Sequence, residues 1–157
     1  MHVPPDQRHP RAREIIPSRQ IKIGGDPESF DKETIAWQFF RLDRHHAYWG
    51  WNRLRPPEWR DVLSHLVSFE GLRWADLKGQ AGGRNRGTNH HPIEISGFNK
   101  SARDRLHELH LDDFTSLFSL RITNTLRLYG VREGRVLQIV WYDPHHGSRC
   151  GACPTDQ

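Results

Sequence analysis

Cysteine is almost missing from this chain. Its two cysteines, Cys150 and Cys153, stand three apart near the C-terminus, which excludes a disulfide framework as the support of the fold. Long apolar runs are missing too. None approaches the roughly 20 residues needed to cross a bilayer, and residues 1–20 carry no apolar segment of the signal-peptide kind. The expectation is a cytoplasmic protein without membrane association. Proline and glycine are scarce in the middle of the chain, being gathered near the ends and in one internal loop. This places the folded part at residues 32–146, as a single α+β domain between an extended or disordered arm, 1–31, and a flexible tail, 147–157.

What is present is basic and aromatic. The 157 residues hold 23 Lys+Arg against 19 Asp+Glu, with eleven histidines besides. Arginine greatly outnumbers lysine, and its planar fork suits phosphates and base stacking. Such a balance favours a nucleic-acid partner, although GC-rich coding sequence produces the same bias. Six tryptophans and seven phenylalanines imply a core built on large aromatics.

Residues 116–146 read as three strands joined by two tight turns, at Thr123-Asn124-Thr125 and Arg132-Glu133-Gly134. Period-two alternation places Phe118, Leu120, Ile122, Leu126, Leu128, Leu137, Ile139 and Trp141 on a core face. The opposite face carries Arg121, Arg127, Tyr129, Gln138 and Tyr142. A three-residue first turn keeps the apolar residues in step, pairing Leu120 with Leu128 and setting Arg121 against Arg127. Facing like charges are destabilising unless an anion lies between them. Either the two arginines splay into solvent or meet an acid such as Asp113 or Glu94, or they form a phosphate site with Tyr129, Gln138 and Tyr142 as neighbours.

Upstream, residues 32–43 have Ile35, Trp37 and Phe39 at alternate positions and read as a first core strand. The basic aromatic stretch 44–55 follows, with Arg44, Trp49, Trp51 and Arg53 suited either to stacking and neutralising single-stranded nucleic acid or to covering one end of the sheet. Pro57 opens a helix whose Trp59, Val62, Leu63, Leu66 and Phe69 recur at helical spacing until Gly71. Residues 78–88 form a glycine-rich basic loop with Lys78, Arg84 and Arg86, whose amides can approach an anion, but without the GK[ST] ending of a Walker loop. His90-His91-Pro92 leads into a short strand, and Asn99 or Ser101 caps a helix through Leu109. Helices followed by antiparallel strands predict an α+β domain: an antiparallel sheet with a C-terminal three-strand meander and helices packed on one face.

Three histidine pairs, His45-His46, His90-His91 and His145-His146, stand at ends of expected strands. Two histidines across a phosphodiester can act as base toward the 2′-hydroxyl and acid toward the leaving oxygen, with arginines stabilising the developing charge. His91, His146, Arg121 and Arg127 are the candidate catalytic residues, and no cofactor is expected. His145, His146, Cys150 and Cys153 hold four zinc-competent donors, but the surrounding glycines suggest a tail rather than a metal site.

The ending Trp141-Tyr142-Asp143-Pro144-His145-His146 resembles a group of small, mostly uncharacterised bacterial proteins in which a glycine turn and a strand run into W-x-D-P-x-H. The matching residues are Gly134, Trp141, Asp143, Pro144 and His146, with His91 ahead of Leu106; no firm activity comes with the likeness. More loosely, helices before an arginine-rich meander look like RelE/ParE-type toxins, through Arg121, Arg127, Tyr129 and Tyr142 as residue types. That resemblance implies a toxin-like ribonuclease acting on RNA, including ribosome-associated mRNA, with a cognate antitoxin-like partner. The alternative is a non-catalytic binding module using the same basic face.

Overall fold

The computed structural model describes residues 27–80, 89–148 and 151–153. Five strands form one mixed sheet in the order β1-β5-β4-β3-β2: β1 (Ala36–Gln38), β2 (His91–Glu94), β3 (Ser116–Arg121), β4 (Arg127–Glu133) and β5 (Val136–Asp143). The helices are α1 (Pro56–Glu70), α2 (Trp74–Lys78) and α3 (Lys100–Glu108).

Local chemistry explains the boundaries. Prolines occupy the first positions of α1, where a missing N–H costs nothing, and Glu58 turns back to accept from the Arg55 backbone at 3.4 Å. Asn99 caps α3 by accepting from the Ala102 N–H at 2.8 Å. Between β4 and β5 the chain reverses at Gly134, whose φ of +63° suits a residue without a Cβ.

The pairing of β3 with β4 follows the expected register, Leu120 opposite Leu128 and Arg121 opposite Arg127. The sheet as a whole departs from expectation in two ways. It is mixed, because β1 runs parallel to β5 and is only three residues long, leaving Phe39 exposed. And both of its faces are covered. Val62, Leu66, Phe69, Trp74 and Leu77 of α1 and α2 join Phe118, Leu120, Leu128, Leu137 and Ile139 on one face. Ala102 and Leu106 of α3 join Leu117, Tyr129, Val131, Val140 and Trp141 on the other. The helices therefore lie on two faces of the sheet, not one.

A bulge accounts for part of the difference. Tyr129 pairs with Trp141 but Gly130 with Ile139, so Val140 is an extra residue in β5. Val140 and Trp141 then face α3, and Tyr142 turns to the α1 side, exchanging the faces that strict alternation assigns to Trp141 and Tyr142. Gly130 permits this, since a Cβ there would lie 2.6 Å from the Gln138 carbonyl oxygen and 3.1 Å from the Ile139 Cα. Gly130→Ala should cost about 1–3 kcal/mol because both obstacles are backbone; a thermal melt unchanged from wild type would show that the bulge can relax.

The domain limits also move. Asp31 ties the start of the fold to Arg132 at 2.7 Å and Lys78 at 2.8 Å. At the other end Ala152 is fully buried, its N–H donating to Asp143 at 2.8 Å and its carbonyl accepting from Asn99 at 3.1 Å. Residues 151–153 are thus part of the α3 face rather than a free tail. Residues 1–26 of the expected arm lie outside the described residues.

Candidate functional site

The antiparallel order gathers β2's first residue, the end of β3, the start of β4 and the end of β5 at one end of the sheet. Two rows of side chains cross it there. One runs His91, Ser119, Tyr129, Trp141; the next runs Arg121, Arg127, Asp143. His91 stands diagonally across the β2–β3 pair from Arg121, within reach of a long side chain. His146 arrives from beyond β5, its backbone N–H bonded to the Thr125 carbonyl at 3.0 Å in the β3–β4 turn. All four candidate catalytic residues therefore come to one end of the sheet.

The two arginines are held by neutral acceptors. Arg121 donates to the side-chain oxygens of Asn89 at 3.2 Å and Asn124 at 2.5 Å. Arg127 donates to the Thr123 carbonyl at 2.6 Å and to those of Asn124 and Leu126 at 3.3 Å. Among the described residues neither forms an ion pair, and Asp113 and Glu94 do not reach them. Burial, and after it the facing Arg121, pulls the Arg127 pKa below its ordinary value, opposed by Tyr129 and Asp143. Asp143 stands level with Arg127, but its two carboxylate oxygens are taken by the backbone N–H groups of His145 and Ala152, each at 2.8 Å.

The histidines divide by burial. His90, marked from sequence as one of a pair but not as a candidate catalytic residue, is the buried member: its Nδ1 accepts the Arg121 backbone N–H at 3.1 Å and its Nε2 lies 3.0 Å from the Gln80 side-chain oxygen. Those partners fix a neutral ring protonated on Nε2. His91 is exposed, with Nδ1 3.1 Å from the Pro92 carbonyl. A carbonyl only accepts, so Nδ1 carries a proton toward it.

Most of the expected stacking residues are structural. Tyr129 is fully buried beneath α3. Gln138 is 6% exposed and bonded to Arg41 and Gln38. Tyr142 lies on the opposite face with its hydroxyl donating to Glu58. Trp49 is buried, stacked on His46 with ring centroids 4.1 Å apart, and Trp51 donates its indole N–H to the Val140 carbonyl at 3.1 Å. Lys78 is engaged by Asp31. Tyr129, Tyr142 and Trp49 are consumed by the two cores of a twice-covered sheet, while Trp51 and Lys78 are partly buried and held by Val140 and Asp31. Arg44 is exposed. Arg53 lines a cavity of about 340 Å³ with Tyr48, Glu58 and His145 on the α1 side of the sheet, away from the arginine row. Arg84 and Arg86 lie outside the described residues.

Sequence reasoning missed Asp43, which organises the aromatic loop. It is 2% exposed and accepts from the Arg105 guanidinium twice at 2.8 Å, from the Trp141 indole at 2.9 Å and from the His45 N–H at 3.3 Å. One signal was available: Asp43 is the sole acid between Glu33 and Glu58, in a stretch crowded with arginine, histidine and tryptophan.

Among the described residues no group of three or more His, Cys, Asp or Glu side chains is placed to hold a metal, and no helix is long and apolar enough to cross a membrane. No protein-family model, curated protein or solved structure matches the chain.

Proposed function

We propose that the Arg121–Arg127 row binds phosphates of RNA, as the expected basic sheet face reduced to one end. One observation carries this reading: two cations stand opposite each other and, among the described residues, give their hydrogen bonds to neutral acceptors, with Asp143 the single carboxylate in their row. Repulsion of that kind favours an anion between them. RNA fits through its flexible backbone of phosphates, and a cytoplasmic partner of this class, including ribosome-associated mRNA, is consistent with the basic composition.

Glutamine at either position tests the site. Arg121→Gln and Arg127→Gln should leave stability unchanged or raise it by up to about 1 kcal/mol, since repulsion is removed. Each should weaken RNA binding and flatten its salt dependence by about one unit of slope. Lowered melting temperatures with unchanged RNA binding would overturn the proposal.

Cleavage is a second reading, supported by the exposed His91 standing diagonally across the β2–β3 pair from Arg121. Here His91 takes the proton of the 2′-hydroxyl, the 2′-oxygen attacks phosphorus, the P–O5′ bond breaks, and His146 protonates the departing oxygen. A 2′,3′-cyclic phosphate formed in excess EDTA, and lost in His91→Ala, identifies this toxin-like ribonuclease. RNA bound intact, with or without ribosomes, identifies the binding module instead. An antitoxin-like protein that shields the arginine row would fit either outcome.

A further inference from the structure

The cavity of about 340 Å³ at the end of β5 lies within the roughly 300–1,000 Å³ of small-ligand sites, and its chemistry is one-sided. Glu58 is the single acid among the described residues that line it, and both carboxylate oxygens are taken. One accepts from the Arg55 guanidinium at 2.6 and 2.9 Å, the other from the Tyr142 hydroxyl and the Arg55 backbone N–H. What stays uncommitted is a cation and an aromatic ring. Arg53 is exposed and forms no ion pair among the described residues. Tyr48 is 47% exposed. Its ring meets His145 edge-on, at 87° and 6.2 Å between centroids, and meets His46 at a tilt of 51°. Among the described residues no ring lies flat against it. A guanidinium without a carboxylate suits a phosphate, and an unstacked aromatic face suits a base.

Position ties this cavity to the arginine row. Pro144 and His145 line it. Asp143, just before them, stands in the row beside Arg127. His146, just after them, bonds the Thr125 carbonyl in the turn whose Thr123 and Asn124 hold Arg127. Row and cavity therefore open on opposite faces of the same sheet end, with the end of β5 between them. We propose, on the reading that the row binds RNA phosphates, that the RNA is single-stranded and turns one base around the end of β5 into the cavity. The base stacks on Tyr48 and its phosphate meets Arg53. A base paired in a duplex is stacked within its own helix and has no face to give Tyr48.

Fluorescence anisotropy of the full chain with an end-labelled oligouridine of about eight nucleotides, and with an RNA duplex alongside, tests this. Tyr48→Ala should weaken single-strand binding about tenfold and leave its salt slope unchanged. Tyr48→Phe, which keeps the ring, should bind as wild type. Arg53→Gln should weaken binding and flatten the slope by about one unit. Binding of the duplex should be indifferent to Tyr48→Ala. Single-strand binding that falls in Arg121→Gln but is unchanged in Tyr48→Ala and Arg53→Gln would overturn this inference and leave the arginine row standing. A duplex that loses as much as the single strand in Tyr48→Ala would overturn it too. No RNA binding, or binding indifferent to Arg121→Gln and Arg127→Gln, would overturn both readings.

Discussion

Asp43→Asn should lower the unfolding free energy by about 3–5 kcal/mol, the usual cost of removing one partner from a buried ion pair. The side chain of Asp43 is 1% exposed and that of Arg105 24%. Burial by itself would raise the Asp43 pKa, and the bonds from Arg105 and Trp141 outweigh it, holding the carboxyl below its ordinary range. An amide in the same place keeps one acceptor and turns a donor toward groups that are themselves donors. The loss would reach beyond the pair, because Asp43 joins three parts of the fold. Its backbone bonds Val140 in the bulge and Trp51 in the aromatic loop, each at 2.9 Å, while its side chain ties that loop to α3. Glu108→Gln is the control. Glu108 also meets Arg105, at 2.7 Å, but is 61% exposed, so its loss should cost less than about 1 kcal/mol. Urea unfolding followed by tryptophan fluorescence measures both. Equal costs would show that the Asp43 network is not what fixes the loop.

What the sequence made legible was local. The β3–β4 register follows from alternation and from a Thr-Asn-Thr turn, in which the Thr123 hydroxyl accepts from Leu126 at 3.0 Å. The α1 start was legible to within one residue, Pro57 expected and Pro56 observed, and of the two caps offered for α3 the chain uses Asn99. What stayed illegible depended on distant partners. The β5 run Val136–Asp143 is nearly all apolar, so alternation could not reveal that Val140 is extra; that follows from Gly130 on another strand. Leu63 and Leu66 of α1 both recur at helical spacing, and only the position of the sheet decides that Leu66 is buried and Leu63 exposed. His90 and His91 are neighbours whose roles are set by the register of β2 against Ser119. The tail looked free because the acceptor that captures Ala152, Asp143, belongs to a motif readable only as a strand end.

Lowering the pH from 7 to 4 should remove up to about 3 kcal/mol of stability through His90 alone, about 1.4 kcal/mol for each pKa unit of displacement. Its pKa falls from 6.5 to about 4, first because the ring is buried and then because Arg127, His91, Arg121 and His65 stand near it. The sign follows from the depressed folded value. Above 6.5 the ring is neutral in both states and the contribution is complete. Between 6.5 and about 4 the unfolded chain takes up a proton that the folded one refuses, so stability drains away as the pH falls. Protonation would also end the acceptor role of Nδ1 toward the Arg121 N–H, and would put a third charge beside the arginine row. His46, whose pKa burial also lowers, and Asp143, whose pKa burial raises, titrate as well, so the prediction is a difference between two proteins. His90→Asn can keep an oxygen near the Nδ1 position while losing the ring contact with Phe69, 5.2 Å between centroids, and the Gln80 bond. At pH 7.5 it should be less stable than wild type by about 1–3 kcal/mol. Toward pH 4 the two proteins should converge, because only the wild type carries the buried imidazole. Denaturant titrations at pH 7.5, 5.5 and 4.0 measure the gap, and a gap constant across that range would mean that His90 protonates in the folded protein as readily as in the unfolded one.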